Sequence, residues 1–411
     1  MNSKFKESKL VDNICLVLLF IMFCGMFAHS TIAYVRAIPQ LLLSFIAVVR
    51  FIISLKNKDI SKYRNFFKFA LWYLIFVLFN VLSLKWTISV SYSEDLISSL
   101  WFGFNLLLIL TNFITSFEKL IKVIKVMIFA MIYMCLLILI SDMGLRGTDA
   151  FGSVTGIYFN RIALILDYGI FLCIYIFKKE KKGRYLLPIP LYFLVIFFTG
   201  SRKSLLMPFA FLALFMFLGM GKDVNKIIKT FFTAIVLFFV VVFVVSINPV
   251  LEKRVMDLVY SVVQGEETTD ASIIERTYFR HTAFEMFKES PIKGHGSNSF
   301  RAYLTSINYR HVTYCHCNFL EILATLGFIG FSLYYVMYFC ILRKGMHNFD
   351  KNNLEKIFSI SFIITEVIFE YGFVSFYFFD LQSMIAIVYF IACNSERVNI
   401  NYENCNINTV A

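Results

Sequence analysis

The chain has 411 residues, 59% of them hydrophobic and 18% aromatic, with only 16% charged and a formal net charge of +12. A soluble globular domain carries fewer apolar and more charged residues than this, so the composition excludes that class and points to a membrane protein. An excess of Lys and Arg raises nucleic-acid binding, but in a membrane chain the cytoplasmic connections collect these residues and set orientation, so no nucleic-acid partner is implied.

A helix crosses the hydrocarbon with about 20 apolar residues. Runs of that kind lie near 13–29, 37–55, 66–84, 97–115, 123–141, 161–177, 185–199, 204–220, 227–247, 318–342, 357–372 and 376–393. The fold class they predict is an all-α polytopic integral membrane protein with about 12 transmembrane helices. The first run follows Lys4, Lys6 and Lys9 and reads as an uncleaved first helix, not a signal peptide. The seventh run is short, and the last two are nearly continuous.

Basic residues gather in alternate connections: Lys56, Lys58, Lys62, Arg64 and Lys68; Lys119, Lys122 and Lys125; Lys178, Lys179, Lys181, Lys182 and Arg184; Lys222, Lys226 and Lys229; Arg343, Lys344, Lys351 and Lys356. The positive-inside rule then puts both termini in the cytoplasm and the long hydrophilic segment 248–317 outside. The expected division is nine spans in 1–247, a large extracytoplasmic loop in 248–317, three spans in 318–393 and a cytoplasmic tail in 394–411. That tail is rich in Asn and reads as disordered. No internal repeat is evident, which counts against a transporter built from repeated halves. The nine Cys form no CxxC pair, and most sit inside apolar runs (Cys15, Cys24, Cys135, Cys173, Cys340), where thiols behave as small hydrophobes.

Ionisable residues away from the cytoplasmic side mark candidate chemistry. On the expected outer side these are Lys85, Arg161, Arg202, Lys203, Arg276, Arg280, His281, His295, His311 and His316. Few carboxylates accompany them, and Glu266, Glu267 and Asp270 fall in a part of the loop that reads as mobile. Such a cationic surface suits an anionic group held at the membrane face, for which a lipid diphosphate qualifies.

Three stretches carry most of the information. In 275–300, Phe279, Ala283, Met286 and Phe287 make an apolar stripe at helical spacing, Arg276 and Arg280 stand one turn apart, Pro291 ends the helix, and Gly294 and Gly296 allow a tight turn. This predicts a folded helix lying along the membrane; its arginines either bind a substrate anion or contact lipid headgroups. In 316–330, His316 precedes an apolar run, where a helix N-terminus favours neutral imidazole and such an imidazole can take a proton from a hydroxyl. A structural hydrogen-bonding role for His316, or a zinc site with Cys315, Cys317 and His311, are the other readings; the spacing suits zinc poorly. In 199–209, Gly200 and Ser201 form a tight turn with Arg202 and Lys203 at its tip, which is either functional or a charged loop tip. Arg161, just after Asn160 at the start of the sixth span, and Lys85 with Trp86 resemble that arrangement. Glu366 and Glu370 share a helix face and read as a structural ion pair with a cation.

Taken in order, these motifs resemble the O-antigen ligase and O-antigen polymerase superfamily of bacterial membrane glycosyltransferases. That family's loop reads Arg, Trp four residues on, Ala-Leu, then Pro-x-x-Gly-x-Gly; Arg276, Ala283-Phe284, Pro291, Gly294 and Gly296 fall at its spacing. Its His-Asn-x-x-Leu-Glu and Gly-x-x-Gly motifs match His316, Leu320, Glu321, Gly327 and Gly330, its Ser-Arg turn matches Ser201-Arg202, its Asn-bearing helix start matches Asn160, and its Leu-Ser-x-x-Trp matches Leu82, Ser83 and Trp86. Two departures stand out: Arg280 replaces the Trp, and Cys317 replaces the Asn after the His.

The resemblance implies sugar transfer from undecaprenyl-diphosphate-linked oligosaccharides in the bacterial cytoplasmic membrane. A guanidinium suits the leaving group because its planar fork binds phosphate oxygens bidentately. Arg202, Arg276, Arg280, Arg161 and Lys203 are then expected to hold the diphosphate and His316 to orient or deprotonate the acceptor hydroxyl, with no metal and no other cofactor. A polymerase of repeat units for a surface polysaccharide (O-antigen, capsule or exopolysaccharide) is the favoured reading, a ligase to lipid A core the alternative, and a flippase for the same lipid the alternative of another class. Expected partners are the lipid bilayer, a chain-length regulator and a flippase.

Overall fold

The computed structural model describes residues 9–30, 32–57, 64–141, 155–220 and 271–407, with backbone alone at 64–67, 271–272 and 396–407. The expected ninth span 227–247, the acidic residues Glu266, Glu267 and Asp270, and the basic residues Lys4, Lys6, Lys58, Lys62, Lys222, Lys226 and Lys229 lie outside the described residues. Thirteen α-helices and two short 3-10 turns make up the described chain, with no strand among the described residues. The helices are α1 (Lys9–Phe27), α2 (Ala33–Lys56), α3 (Arg64–Leu82), α4 (Val90–Phe113), α5 (Phe117–Ile140), α6 (Phe159–Glu180), α7 (Pro188–Thr199), α8 (Arg202–Met220), α9 (Ala271–Glu289), α10 (Ser299–Ser306), α11 (Asn318–Met346), α12 (Leu354–Phe369) and α13 (Phe379–Ile407). Seven of them are long and apolar enough to cross a membrane, with further shorter apolar helices at 183–199 and 379–395. The protein is therefore an all-helical, multi-span membrane protein. Each expected span inside the described residues meets a helix. The α7 helix alone has 12 residues, about 18 Å at 1.5 Å per residue, well short of the hydrocarbon core.

The chain forms two compact units. The first comprises Met1–Phe67 and Asn105–Ser204. In it α1 packs on α2 and α5, and α6 on α5 and α7. Gly25 brings α1 against the backbone of α2 at Val35–Arg36, and Gly169 brings α6 onto the ring of Tyr192 and the sulfur of Met131. Tyr192, fully buried, donates its hydroxyl to the Ile128 carbonyl at 2.8 Å, so its one polar group is satisfied. Asp12 of α1 accepts from Arg50 at the end of α2 (2.8 Å) and from Lys119 at the start of α5 (3.2 Å). Lys125 pairs with Glu180, which also accepts from Tyr185 at 2.7 Å. The basic ends of α1, α2, α5 and α6 thus gather at one end of this unit, as the alternation of Lys and Arg in the sequence requires.

The second unit comprises Lys68–Phe104 and Leu205–Ala411. Here α11 packs on α9, α10, α12 and α13, and α12 on α13. Trp72 of α3 donates Nε1–H to the Leu333 carbonyl at 2.5 Å. Lys356, 1% exposed, donates to the carbonyls of His347 and Asn348 at 2.7 Å each, so its charge closes the C-terminal end of α11. The backbone of α13 stays helical to Ile407, where the sequence reading places a disordered tail. Extending an existing helix adds a hydrogen bond per residue without a new nucleation step, and that outweighs the weak propensity of the Asn residues.

Candidate functional site

The site is assembled from α9, α10, the start of α11 and the connection 370–378, all in the second unit. The stripe foreseen on α9 is its packing face: Phe279, Ala283 and Met286 are buried, and Phe287 is half-buried. Phe279, Ala283 and Met286 join Phe300 and Leu304 of α10, Cys315, Cys317 and Ala324 in one apolar cluster. The stripe is therefore covered by protein, and the two arginines project from its flank. Arg276 and Arg280 are half-buried. Arg280 donates Nε–H to the Arg276 carbonyl at 3.2 Å and sets its guanidinium over the Tyr371 ring at 4.8 Å. A cation over an aromatic face is attracted by the ring quadrupole, which fixes the charge where the resembled family carries Trp.

The turn after α9 is held by a break in α11. Gly327 has φ 64° and ψ −168°, far from helical values. An unbroken helix would give the Ala324 and Thr325 carbonyls to the N–H groups of Phe328 and Ile329. Here His295 and Gly296 donate to those carbonyls (3.1 and 2.7 Å), while Phe328 and Ile329 donate to the Pro291 and Ile292 carbonyls (2.8 and 3.1 Å). The break therefore leaves none of these four backbone groups unpaired. It also requires glycine. A Cβ at Gly294 would strike the backbone of Thr325 and Gly327, and one at Gly327 the backbone of Ile292. The other side of the turn rests on the segment after α3. Ser297 N–H donates to Ser83 (2.9 Å), Ser297 Oγ to Asn80 (2.7 Å), Asn298 to the Tyr92 carbonyl (2.7 Å) and Trp86 Nε1–H to the Lys293 carbonyl (3.3 Å). Asn80, Ser83, Trp86 and Tyr92 are thus the seat of the turn.

His316 follows directly on this framework, in the left-handed region at φ 59°. That conformation is uncommon outside glycine, though His is among the residues that adopt it. Its ring lies 4.5 Å from that of Tyr314 and stacks on Phe279 at 6.3 Å and 16°. The other histidines of the region have structural partners: His295 donates to the Met286 carbonyl at 2.8 Å, His311 meets Glu275 at 2.8 Å, and His281 stands 3.8 Å from Glu285. Glu321, fully buried in the first turn of α11, reaches back to accept from the Cys315 N–H at 2.6 Å and also accepts from the Tyr377 hydroxyl. Asn318, one place beyond the Asn of the resembled motif, accepts from the Ser375 and Phe376 N–H groups (3.0 and 3.3 Å) and donates to Tyr335 at 2.9 Å. It ties α11 to the connection that supplies Tyr371 and Tyr377.

Cys315 and Cys317 are buried free thiols. Burial pushes both up from the ordinary thiol value, and a protonated, covered thiol is a poor nucleophile. Maleimide applied to native membranes is expected to leave both unmodified and to label both after SDS, read by mass spectrometry of the 311–321 peptide. Native labelling would show that this core opens. Among the described residues no group of three or more His, Cys, Asp or Glu could hold a metal ion.

Arg161, Arg202 and Lys203, all half-buried, belong to the first unit. The foreseen turn is present: Gly200 caps α7 in the left-handed region at φ 64°, Ser201 is buried and bonds Ser204 at 3.3 Å, and Arg202 and Lys203 open α8. Arg161 lies in the first turn of α6. Because α6 and α7 run antiparallel, Arg161 and Arg202 both lie away from the Lys125–Glu180 end of the unit.

The sequence reading of Glu370 as a partner of a cation needs correction. Glu370 takes no cation among the described residues. It accepts from the hydroxyls of Tyr335 (2.7 Å), Tyr338 (3.1 Å) and Ser375. Hydroxyl donors satisfy a buried carboxyl without bringing a second desolvated charge.

Sequence reasoning also missed Arg301 on α10. Its guanidinium lies over the rings of Tyr377 (5.1 Å) and Tyr314 (5.8 Å). The signal available was slight: one Arg after Phe300 in a short helix.

Residues 187–335 match a family model described as O-Antigen ligase. No curated protein matches the chain. The matched range contains Arg202, Lys203, Arg276, Arg280, Arg301, His316 and Gly327, and leaves out Arg161 and the 370–378 connection.

Proposed function

We propose, for a chain whose residues 187–335 carry the segment of the O-antigen ligase and polymerase superfamily, a membrane glycosyltransferase that polymerises undecaprenyl-diphosphate-linked oligosaccharide repeat units on the outer face of the cytoplasmic membrane. The observation that supports it most is that His316 stacks its ring on Phe279 of α9, the helix that carries Arg276 and Arg280, all inside the matched segment.

In the proposed reaction the acceptor hydroxyl oxygen attacks the anomeric carbon of the donor sugar. A glycosidic C–O bond forms, the C–O bond to the diphosphate breaks, and the diphosphate leaves with the electron pair. Arg276 and Arg280, with Arg202, Arg161 and Lys203, neutralise the charge that gathers on the leaving group, which is commonly the largest catalytic contribution. His316 orients the acceptor hydroxyl and takes its proton. Arginines carrying this charge make a divalent cation unnecessary. Both termini lie in the cytoplasm in this scheme, and a flippase and a chain-length regulator act beside the enzyme.

A second reading, transfer of finished glycan to a lipid A core, draws support from the description of the matching family. The two differ in product. Purified protein given lipid-linked repeat units alone is expected to yield a ladder of longer lipid-linked chains, with EDTA leaving the rate intact. A deletion strain that still makes long lipid-linked polymer but leaves it unattached to core would replace the polymerase by the ligase. Inhibition by EDTA relieved by added Mg²⁺ would end the metal-free scheme.

A further inference from the structure

Arg301 stands apart from the other cations of the site in how its charge is met. Its guanidinium is covered by two tyrosine rings, Tyr377 at 5.1 Å and Tyr314 at 5.8 Å. Its Nε is buried with no hydrogen-bond acceptor, and no carboxylate among the described residues lies within ion-pair distance of it. Glu321, which meets the same Tyr377, has its oxygens engaged by the Cys315 N–H and the Tyr377 hydroxyl. The side chain as a whole is half-buried, so stacking holds the guanidinium in place while only its Nε is shut away from water. A buried donor left unpaired calls for an explanation, and a ligand that reaches it is one. The neighbourhood says which ligand: Tyr314 also touches His316, at 4.5 Å between ring centres, so an anion on Arg301 lies one tyrosine ring from the proposed base.

We propose that Arg301 is a further contact to the diphosphate of the lipid-linked donor, held ready by Tyr314 and Tyr377; the assignment rests on the function proposed above. A planar guanidinium with fixed orientation binds two phosphate oxygens at once, and stacking removes the cost of ordering the side chain on binding.

The test is binding of farnesyl diphosphate to the full-length protein in nanodiscs, measured by calorimetry alongside thermal unfolding. Arg301→Ala is expected to weaken binding about tenfold and Arg301→Lys about threefold, since lysine keeps the charge and loses the fork. Arg310→Ala, at an exposed arginine on the connection that follows α10, is expected to bind as the parent does. Parent-like affinity in Arg301→Ala overturns the assignment alone, whereas a parent protein that binds no farnesyl diphosphate overturns the proposed function and this inference with it. If Arg301→Ala unfolds, Arg301→Lys decides: equal affinity to the parent refutes the contact, and weakened affinity supports it.

Discussion

Alanine at Arg276 or Arg280 is expected to slow turnover by about 10²- to 10³-fold, the usual effect of removing one fixed donor from a developing negative charge, and alanine at His316 by about 10²- to 10⁴-fold. The measurement is the rate at which purified protein extends lipid-linked repeat units, with protein in the membrane quantified in parallel. The three variants separate chemistry from packing. Phe279, Ala283 and Met286, not the arginines, bury the inner face of α9, so truncating Arg276 leaves the helix seated. Arg280 also holds Tyr371, so its loss is expected to raise the substrate concentration needed as well as slow the step. His316 stands in the left-handed region, and His316→Asn, which tolerates that backbone, is the fairer comparison. Unaltered chain extension in both Arg276→Ala and His316→Asn would remove these residues from the reaction.

The largest effect on stability is expected at Gly327. Gly327→Ala forces a Cβ into a backbone region that essentially only glycine occupies and against the Ile292 carbonyl. Relief would require giving up the four hydrogen bonds that join 291–296 to 324–329. A loss of about 3 kcal/mol follows from the backbone strain together with those bonds, visible as a lower unfolding temperature in detergent and as proteolysis between α9 and α11. Gly219→Ala is the comparison, because its added Cβ meets only the Cδ1 atom of Ile357, at an ordinary van der Waals distance of 3.7 Å. A Gly327→Ala protein as stable as the parent would mean that the break in α11 is not held by this turn.

Much of this was legible because membrane helices advertise themselves. Hydrocarbon-length apolar runs have few alternative structures, and each such run among the described residues is a helix. The amphipathic spacing of Phe279, Ala283 and Met286 located α9, and Pro291 located its end. What periodicity could not reveal was tertiary. The apolar run after His316 reads as one continuous span, since nothing in the composition around Gly327 signals that the Ala324 and Thr325 carbonyls will be claimed by His295 and Gly296. The shared face of Glu366 and Glu370 was read correctly as to register, yet the partners of Glu370 are tyrosine hydroxyls, residues that an apolar pattern counts as hydrophobic. Arg301 escaped notice for a related reason: its importance lies in two rings, Tyr314 and Tyr377, that only folding brings to it.

The junction between the turn and the broken helix is written in main-chain atoms, and this gives it an unusual grammar. Amide and carbonyl groups are common to nearly all residues, so the exposed positions Ile292 and Lys293 can be exchanged freely while the glycines hold. Spacing is another matter. Deleting a single residue between Pro291 and Gly296 would shift every donor past its acceptor and turn the histidine-bearing strand of chain away from the arginines. Substitution can therefore rewrite the letters of this passage but not its length.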